Sequence, residues 1–135
     1  MDISRRTDYA IRLLTELARQ PEGLAVSVRQ LAEEGGVPYA FARGIQRDLS
    51  AAGLIIATRG AHGGISLARD PASITLLEVV EALQDVSCSV CTKDPTWCAR
   101  MGGCKVHSVW REMDAMVREY LAKQDLAGLA NGNGR

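Results

Sequence analysis

The stretch SVRQLAEEGGVPYAFARGIQRDLSAAGLI, residues 27–55, decides the fold of this chain. Ser27 and Gln30 make a capping box that starts one short helix, and the two glycines after Glu34 end it. A proline then suits the first turn of a second helix, residues 38–51, because its missing N–H would have no partner there. That second helix carries two arginines four positions apart. Two short helices joined by a tight glycine turn predict a helix-turn-helix.

A β-hairpin is predicted directly after these helices. Residues 54–59 and 65–68 have the aliphatic and β-branched character of short strands. The loop between them, residues 60–64, has three glycines that can adopt positive φ. A hairpin in this position is the wing of a winged helix-turn-helix. The predicted fold is therefore mainly α with a small β-hairpin wing, followed by a long C-terminal helix.

Charge is balanced over the whole chain but not over this unit. The sixteen basic and sixteen acidic side chains cancel, so net charge favours no partner. Residues 37–69 alone hold four arginines and one aspartate, a net charge of +3, and this local basic patch predicts binding of double-stranded DNA. Arg69 is expected to flank the tip of the wing. The candidate DNA contacts are Ser27, Pro38, Tyr39, Ala40, Arg43 and Arg47 in the helix-turn-helix, with Arg59, Gly60, His62 and Gly63 in the wing.

The last predicted helix, residues 106–126, has an apolar face too wide for a chain of 135 residues to bury alone. Part of this face is expected to pack on the first helix. The sequence predicts Thr7 as the N-cap of that helix. The remainder predicts a partner helix and hence a homodimer, which would place two recognition helices about one DNA turn, ~34 Å, apart. The face consists of Val109, Trp110, Met113, Met116, Val117, Tyr120 and Leu121.

The chain is predicted to have two functional parts and a tail. Residues 1–74 form the winged helix-turn-helix, residues 75–126 hold a cysteine-rich loop and the dimerisation helix, and residues 127–135 are expected to be disordered. The N-terminal residues lack the apolar run and cleavage site of a signal peptide. No segment approaches the roughly 20 apolar residues of a membrane span. These features predict a cytoplasmic protein with no membrane partner.

All four cysteines and one of the two histidines lie in CSVCTKDPTWCARMGGCKVH, residues 88–107. This segment is too poor in aliphatic residues to fold around its own side chains, so a disulfide, a zinc ion or an iron–sulfur cluster must close it. Disulfides are disfavoured in the cytosol. A thioredoxin-like pair is disfavoured too, because Cys88-Ser-Val-Cys91 follows the end of a helix instead of opening one.

The spacing of the cysteines leaves zinc and a cluster open. Three cysteines and one histidine satisfy zinc, but structural zinc sites usually use two closely spaced ligand pairs. Here gaps of six and five residues flank Cys98. They spread the candidate ligands along a loop that suits a cluster, whose thiolates bind different irons.

Several motifs together resemble the Rrf-two family of bacterial regulators, over residues 1–126. They are Thr7-Asp8-Tyr9-Ala10, Ala52-Gly53-Leu54-Ile55, Arg59-Gly60-Ala61-His62-Gly63-Gly64, and Cys98-x5-Cys104-x2-His107 followed by Trp110. The resemblance implies a dimeric winged-helix transcription factor whose promoter binding is governed by an iron–sulfur cluster. In the family that cluster is held by three cysteines and one other ligand. Members with clusters include IscR, NsrR and RirA.

The resemblance assigns the cysteine ligands one by one. Cys98 and Cys104 match the family pattern directly. The first cysteine of that pattern falls at Thr92 in this chain, one position after Cys91. We therefore take Cys91 as the third ligand, with Cys88 as a possible substitute or a redox-active spare.

The fourth ligand is left open between two residues. IscR-like members use a histidine at the position of His107. NsrR-like members use an N-terminal aspartate donated across the dimer, which Asp8 matches. The Thr-Asp-Tyr context is closer to the NsrR-like pattern, so the resemblance favours Asp8.

The function implied is that of a DNA-binding repressor controlled by a two-iron or four-iron cluster that senses nitric oxide, redox state or iron. Arg43 stands where IscR has a discriminating glutamate, and an arginine favours guanine or phosphate instead. The alternative is a zinc-stabilised helix-turn-helix adaptor that binds protein partners. Enzymatic activity is not predicted, because the sequence has no triad, phosphate loop or carboxylate pair in a recognisable frame.

Overall fold

The chain forms seven α-helices and one two-stranded antiparallel sheet in the computed structural model, which describes residues 1–132. Two short 3₁₀ turns, Pro71–Ser73 and Met101–Gly103, lie between the longer elements. The helices are α1 Arg5–Ala18, α2 Val28–Gly35, α3 Tyr39–Ala51, α4 Leu76–Leu83, α5 Val90–Lys93, α6 Lys105–Lys123 and α7 Leu126–Asn131, and the strands are β1 Ile55–Thr58 and β2 Gly64–Leu67. The predicted winged helix-turn-helix is confirmed, mainly α with a hairpin after α3.

The turn of the helix-turn-helix forms at the two predicted glycines. Gly36 has φ +66°, a left-handed conformation that glycine adopts without strain. At the other end of α2 the capping box is only half formed. The Ser27 hydroxyl accepts from the Gln30 N–H at 3.1 Å, but the Gln30 side chain donates to Glu34 and does not reach back. One capping bond is therefore enough to start α2 here.

Helix α3 packs one face on the core and leaves the other free. Ala42, Ile45 and Leu49 are buried, as expected of a helix with this spacing of apolar residues. Phe41, which shares that spacing, is exposed and packs edge-on against Tyr9 with 5.2 Å between ring centroids. The exposed face of α3 is the one that carries the arginines.

The wing is tied to the helices through the segment before α2. Ile65 in β2 exchanges two backbone hydrogen bonds with Val26, 2.9 and 2.8 Å long. Gly64 permits this approach, because a Cβ on it would lie 2.3 Å from the Val26 carbonyl oxygen and its φ is +153°. The hairpin is therefore held by β2 close to its turn, and only the turn itself projects.

The start of α1 is held by a residue far along the chain. The N-cap is Ser4, not Thr7 as predicted, and Thr7 is fully buried. The Gln84 side-chain oxygen accepts from the Thr7 hydroxyl at 2.7 Å and from the Ser4 N–H at 3.0 Å. The Gln84 amide also donates to the Asp2 carbonyl at 2.8 Å. Gln84 thus joins the N-terminus to the segment just before the cysteines.

Substituting Gln84 with alanine is expected to lower the free energy of unfolding by about 1–3 kcal/mol, since a buried hydroxyl loses an acceptor. Urea denaturation followed by circular dichroism measures this. Gln20→Ala is the matched control, because the Gln20 amide reaches only Glu34, at 3.4 Å on the surface. Its effect should stay within about 0.5 kcal/mol, and an equal effect of both variants would contradict the assigned role of Gln84.

Two predictions about the C-terminal part are wrong. Helix α6 has α4 and α5 as its main neighbours, rather than α1. The predicted tail forms α7, which packs against α1 and buries Leu126 completely. The backbone of residues 124–126 bonds to that of residues 74–76, which anchors α7 to the core. Residues 133–135 of the predicted tail lie outside the described residues.

One hydrophobic core joins these elements. It includes side chains from α1, α2, α3, both strands, α4 and α7. The boundary predicted between residues 74 and 75 stays a prediction. Among residues 1–132 no helix is long and apolar enough to cross a membrane.

Candidate DNA interface and cysteine cavity

Four arginines form the exposed basic surface of the helix-turn-helix and wing: Arg29, Arg43, Arg47 and Arg59. None of them has a salt bridge within the part of the chain that the structure describes. Arg6 of α1 pairs with Asp48, which neutralises the acid of the predicted patch. The free guanidinium groups are therefore available to an anionic partner.

Arg69 does not belong to this surface, contrary to the prediction. Its Nη2 lies 2.6 Å from the Glu78 carboxylate and donates to the Ser73 carbonyl at 3.0 Å. Hydrogen bonds from the Thr75 N–H and from Arg69 lower the pKa of Glu78 against the opposing effect of burial. Arg69 thus supports the capping box that Thr75 and Glu78 form at the start of α4.

Sequence reasoning missed Arg29, which precedes the predicted basic patch. Its guanidinium carbon lies 4.1 Å from the centroid of the Tyr39 ring. Arg43 lies 6.0 Å from the same centroid and donates to the Tyr39 hydroxyl at 3.3 Å. The Arg43 hydrogen bond is the main reason that the pKa of Tyr39 is lowered. The sequence feature that could have pointed to Arg29 is the aromatic residue Tyr39 at the start of α3, because its ring can contact arginines from both α2 and α3.

The tip of the wing is a tight turn that exposes Arg59 and His62. Gly60 has φ +110°, and its carbonyl accepts from the Gly63 N–H at 3.0 Å. The predicted DNA-facing residues of the wing are therefore at its exposed end.

The cysteine segment encloses a cavity of about 250 Å³. Three of the four cysteines and His107 contribute to its wall, and two tryptophans and a valine make the rest of it largely apolar. The lining residues are Ser89, Cys91, Trp97, Cys98, Cys104, Val106, His107 and Trp110. All four cysteines of the chain are free thiols.

Cys91 is placed by α5, a one-turn helix that sequence reasoning missed. Ser89 is the N-cap, and its hydroxyl accepts from the Cys91 N–H at 3.4 Å. Cys91 is buried, and its Sγ lies 3.2 Å from Nδ1 of His107 in the first turn of α6. The two candidate ligands thus meet across the cavity from different helices.

The donors surround a space instead of converging on one point. Within residues 1–132, no three His, Cys, Asp or Glu side chains are close enough together to hold a metal ion. A single zinc ion needs four donors at about 2.0–2.3 Å. A cluster accepts thiolates that are farther apart because they bind different irons. The donor set of soft thiolates around a largely apolar cavity fits an iron–sulfur cluster.

Cys88 does not line the cavity. Its N–H donates to the Asp114 carboxylate of α6 at 2.7 Å. The pKa of the Cys88 thiol is raised by its hydrogen bond to Asp114 and also by burial. Burial raises the pKa of Asp114, but hydrogen bonds from Cys88 and Thr92 outweigh it and lower that pKa. Cys88 is therefore a poorer thiolate and, unlike the other three cysteines, does not contribute to the cavity wall.

Asp8 also lies outside the cavity wall of its own chain. It sits in the first turn of α1, where its carboxylate pairs with Arg12 at 3.0 Å. Half of its side chain is exposed. A ligand role for Asp8 would therefore require donation from a second subunit.

Helix α6 exposes an apolar stripe and has no fully buried residue of its own. The stripe consists of Val106, Val109, Met113, Met116 and Tyr120, all exposed. Successive members are three or four positions apart, the spacing of a coiled-coil seam. Met116, the fourth of these five residues, is the most exposed, at 70%. All of these residues except Val106 belong to the predicted apolar face, and the described residues 1–132 leave them exposed.

The helix-turn-helix, the wing and the unpaired arginines define a winged-helix DNA-binding protein. The chain belongs to the Rrf2 family, whose description is "Iron-dependent Transcriptional regulator" and whose model matches residues 3–132. The family resemblance found in the sequence is therefore confirmed. The chain is a transcriptional regulator, not an enzyme.

Individual relatives agree with this assignment. The chain is 32% identical to Protein rrf2 of Nitratidesulfovibrio vulgaris over 130 residues, 96% of this chain and 87% of that protein. It is 31% identical to the HTH-type transcriptional regulator NsrR of Shouchella clausii over 133 residues, 96% of this chain and 88% of that one. The solved structure of T. potens IscR matches it with a TM-score of 0.75 and 26% identity, over 94% of this chain and 84% of that one.

Proposed function

We propose that this chain is a homodimeric repressor whose binding to promoter DNA is controlled by an iron–sulfur cluster held in the cysteine cavity. The observation that carries the proposal is the cavity itself, which gathers three free thiols and an imidazole at the start of α6. The iron dependence in the family's description supports the same cofactor class. When bound, such a cluster supplies a centre that nitric oxide and oxidants damage. Iron limitation would withhold the cluster from the chain.

Cys91, Cys98 and Cys104 are the proposed cysteine ligands. Their thiols share one cavity, whereas the Cys88 N–H is hydrogen-bonded to Asp114, about two turns further along α6 than His107. For the fourth ligand the cavity favours His107, which lies beside Cys91. Asp8 of a second subunit is the competing ligand, favoured by the resemblance to NsrR-like sequences.

The proposed ligands are connected to the proposed dimer contact through one helix. Cys104 is the N-cap of α6, and His107 is in its first turn. The apolar stripe begins at Val106 in that same turn. The conformation of this first turn therefore affects how the α6 helices of two subunits pair. This pairing in turn sets the distance between the two recognition helices.

On the DNA side, α3 is proposed to enter the major groove with Arg43 and Arg47 near base edges or phosphates. Arg59 at the wing tip is proposed to contact the adjacent backbone or minor groove. The other predicted contacts that are kept in this proposal are Ser27, Pro38, Ala40, Gly60, His62 and Gly63.

Anaerobic purification followed by absorbance spectroscopy and metal analysis tests the cofactor. The expected result is a coloured protein that contains iron and acid-labile sulfide. A colourless protein with one zinc per chain would instead support the zinc-stabilised adaptor.

DNA binding is tested separately with the promoter fragment upstream of the chain's own gene. Affinity should fall steeply with salt, with a log–log slope of roughly −0.9 for each phosphate contacted. The cofactor-loaded and cofactor-free proteins should differ in affinity for the same fragment. Equal affinities would show that the protein binds DNA but that the cofactor does not control this binding.

A further inference from the structure

We propose that Tyr39 is a positioning residue for DNA binding, which holds Arg29 and Arg43 together, and that Arg29 is a phosphate contact. This inference rests on the DNA-binding function stated above. It assigns to Tyr39 a role that acts through two arginines, and it adds a residue of α2 to the interface.

The contacts around Tyr39 link two helices. Arg29, one residue into α2, lies over the Tyr39 ring at 4.1 Å, well within the roughly 6 Å range of a cation–π interaction. Arg43, one turn further along α3, donates to the hydroxyl of the same ring at 3.3 Å. One aromatic side chain therefore restrains two guanidinium groups that start from different helices.

Both guanidinium groups remain free for a ligand. Arg29 and Arg43 are exposed, and within residues 1–132 neither has a carboxylate partner. Two positive groups held close together repel each other, and the Tyr39 ring and hydroxyl offset part of that cost. An arginine restrained in this way loses less conformational entropy when it binds an anion.

Arg29 and Arg43 are expected to contact different parts of the DNA because α2 and α3 take different positions on it. In a helix-turn-helix complex the second helix lies in the major groove and the first helix crosses the backbone. Arg29 on α2 therefore faces phosphates, and Arg43 on α3 faces base edges or the phosphates beside them. Tyr39, at the first position of α3, lies at the junction of the two.

The test uses a duplex selected from a random-sequence pool by the wild-type chain. Arg29→Ala should reduce the salt slope by about 1, as expected for the loss of one phosphate contact. Tyr39→Leu should weaken binding about five- to tenfold and also reduce the salt slope. Tyr39→Phe keeps the ring over Arg29 and should recover the salt slope, although the hydrogen bond to Arg43 is lost.

Combining Tyr39→Leu with arginine substitutions distinguishes a positioning role of Tyr39 from direct contact of Tyr39 with DNA. Tyr39→Leu should have less than about a twofold further effect when Arg29 and Arg43 are both alanine. In an Arg47→Ala background, the matched control, its full effect should remain, because Arg47 does not touch the ring. If Tyr39→Leu weakens binding equally in all three backgrounds, Tyr39 contacts DNA itself and the inference is wrong. Failure of the wild-type chain to select any duplex would instead overturn the DNA-binding function.

Discussion

Replacing Cys98 or Cys104 with serine is expected to abolish cofactor incorporation while leaving the fold intact. Serine is nearly isosteric with cysteine, but its hydroxyl is a hard donor that does not replace a thiolate. Both cysteines are only partly buried and contribute no side chain to the core, so the thermal midpoint of the cofactor-free protein should hardly change. Anaerobic reconstitution with iron and sulfide measures incorporation through visible absorbance and iron content.

Cys88→Ser is the matched control for these variants. It removes a thiol from the same segment, but that thiol lies outside the cavity and contacts Asp114. It should incorporate the cofactor as the wild-type chain does, whereas Cys91→Ser should not. Loss in Cys88→Ser with retention in Cys91→Ser would reverse the assignment of the third ligand.

The fourth ligand is resolved by the same measurement. His107→Ala should lose the cofactor if the cavity of a single chain is complete, and Asp8→Ala should then retain it. The opposite pattern would show donation across the dimer, as the sequence resemblance favoured.

Substituting Met116 with glutamate is expected to convert the proposed dimer to a monomer. The side chain is the most exposed of the α6 stripe, and in a symmetric dimer each interface would carry two such substitutions. A buried, unpaired carboxylate costs about 3–5 kcal/mol, which weakens association by about 100-fold or more. Sedimentation equilibrium measures the dissociation constant directly.

Ala122→Glu provides the control on another face of α6, where the side chain is exposed and outside the stripe. It adds the same charge and should leave association unchanged. A dimer that survives Met116→Glu would show that α6 does not pair two subunits through this stripe. DNA affinity should fall along with association in the Met116→Glu variant, because one subunit presents only one recognition helix.

Local signals were sufficient for the DNA-binding unit. Gly36 ends α2 in the left-handed conformation that the glycine pair predicts, and the Thr-x-x-Glu spacing of Thr75 and Glu78 forms a capping box. The wing appears where strand-like residues flank a glycine loop. Each of these features depends on neighbouring residues, so a single sequence contains the information needed to predict it.

Features that depend on residues far apart in the sequence were not predicted correctly. Thr7, predicted as the N-cap of α1, is instead buried, and its hydroxyl donates to Gln84, 77 positions away. Helix α7 forms because its first residue, Leu126, fills the core, although its glycine-rich surroundings favour disorder. Arg69 faces a glutamate beyond the wing instead of the wing tip. In each case the deciding partner is far away in the chain and is brought close only by folding.

Residue types and spacing were enough to predict the class of this protein: the winged helix-turn-helix, the family, and a cysteine segment with the donor types of a cofactor site. Spacing and residue type are sufficient for these because they express local backbone preferences and ligand chemistry. The tertiary structure alone decided which cysteines share a cavity, since Cys88 and Cys91 are three positions apart yet face different partners. It also brought Arg29 to Tyr39, because only the packing of α2 on α3 places a guanidinium over that ring.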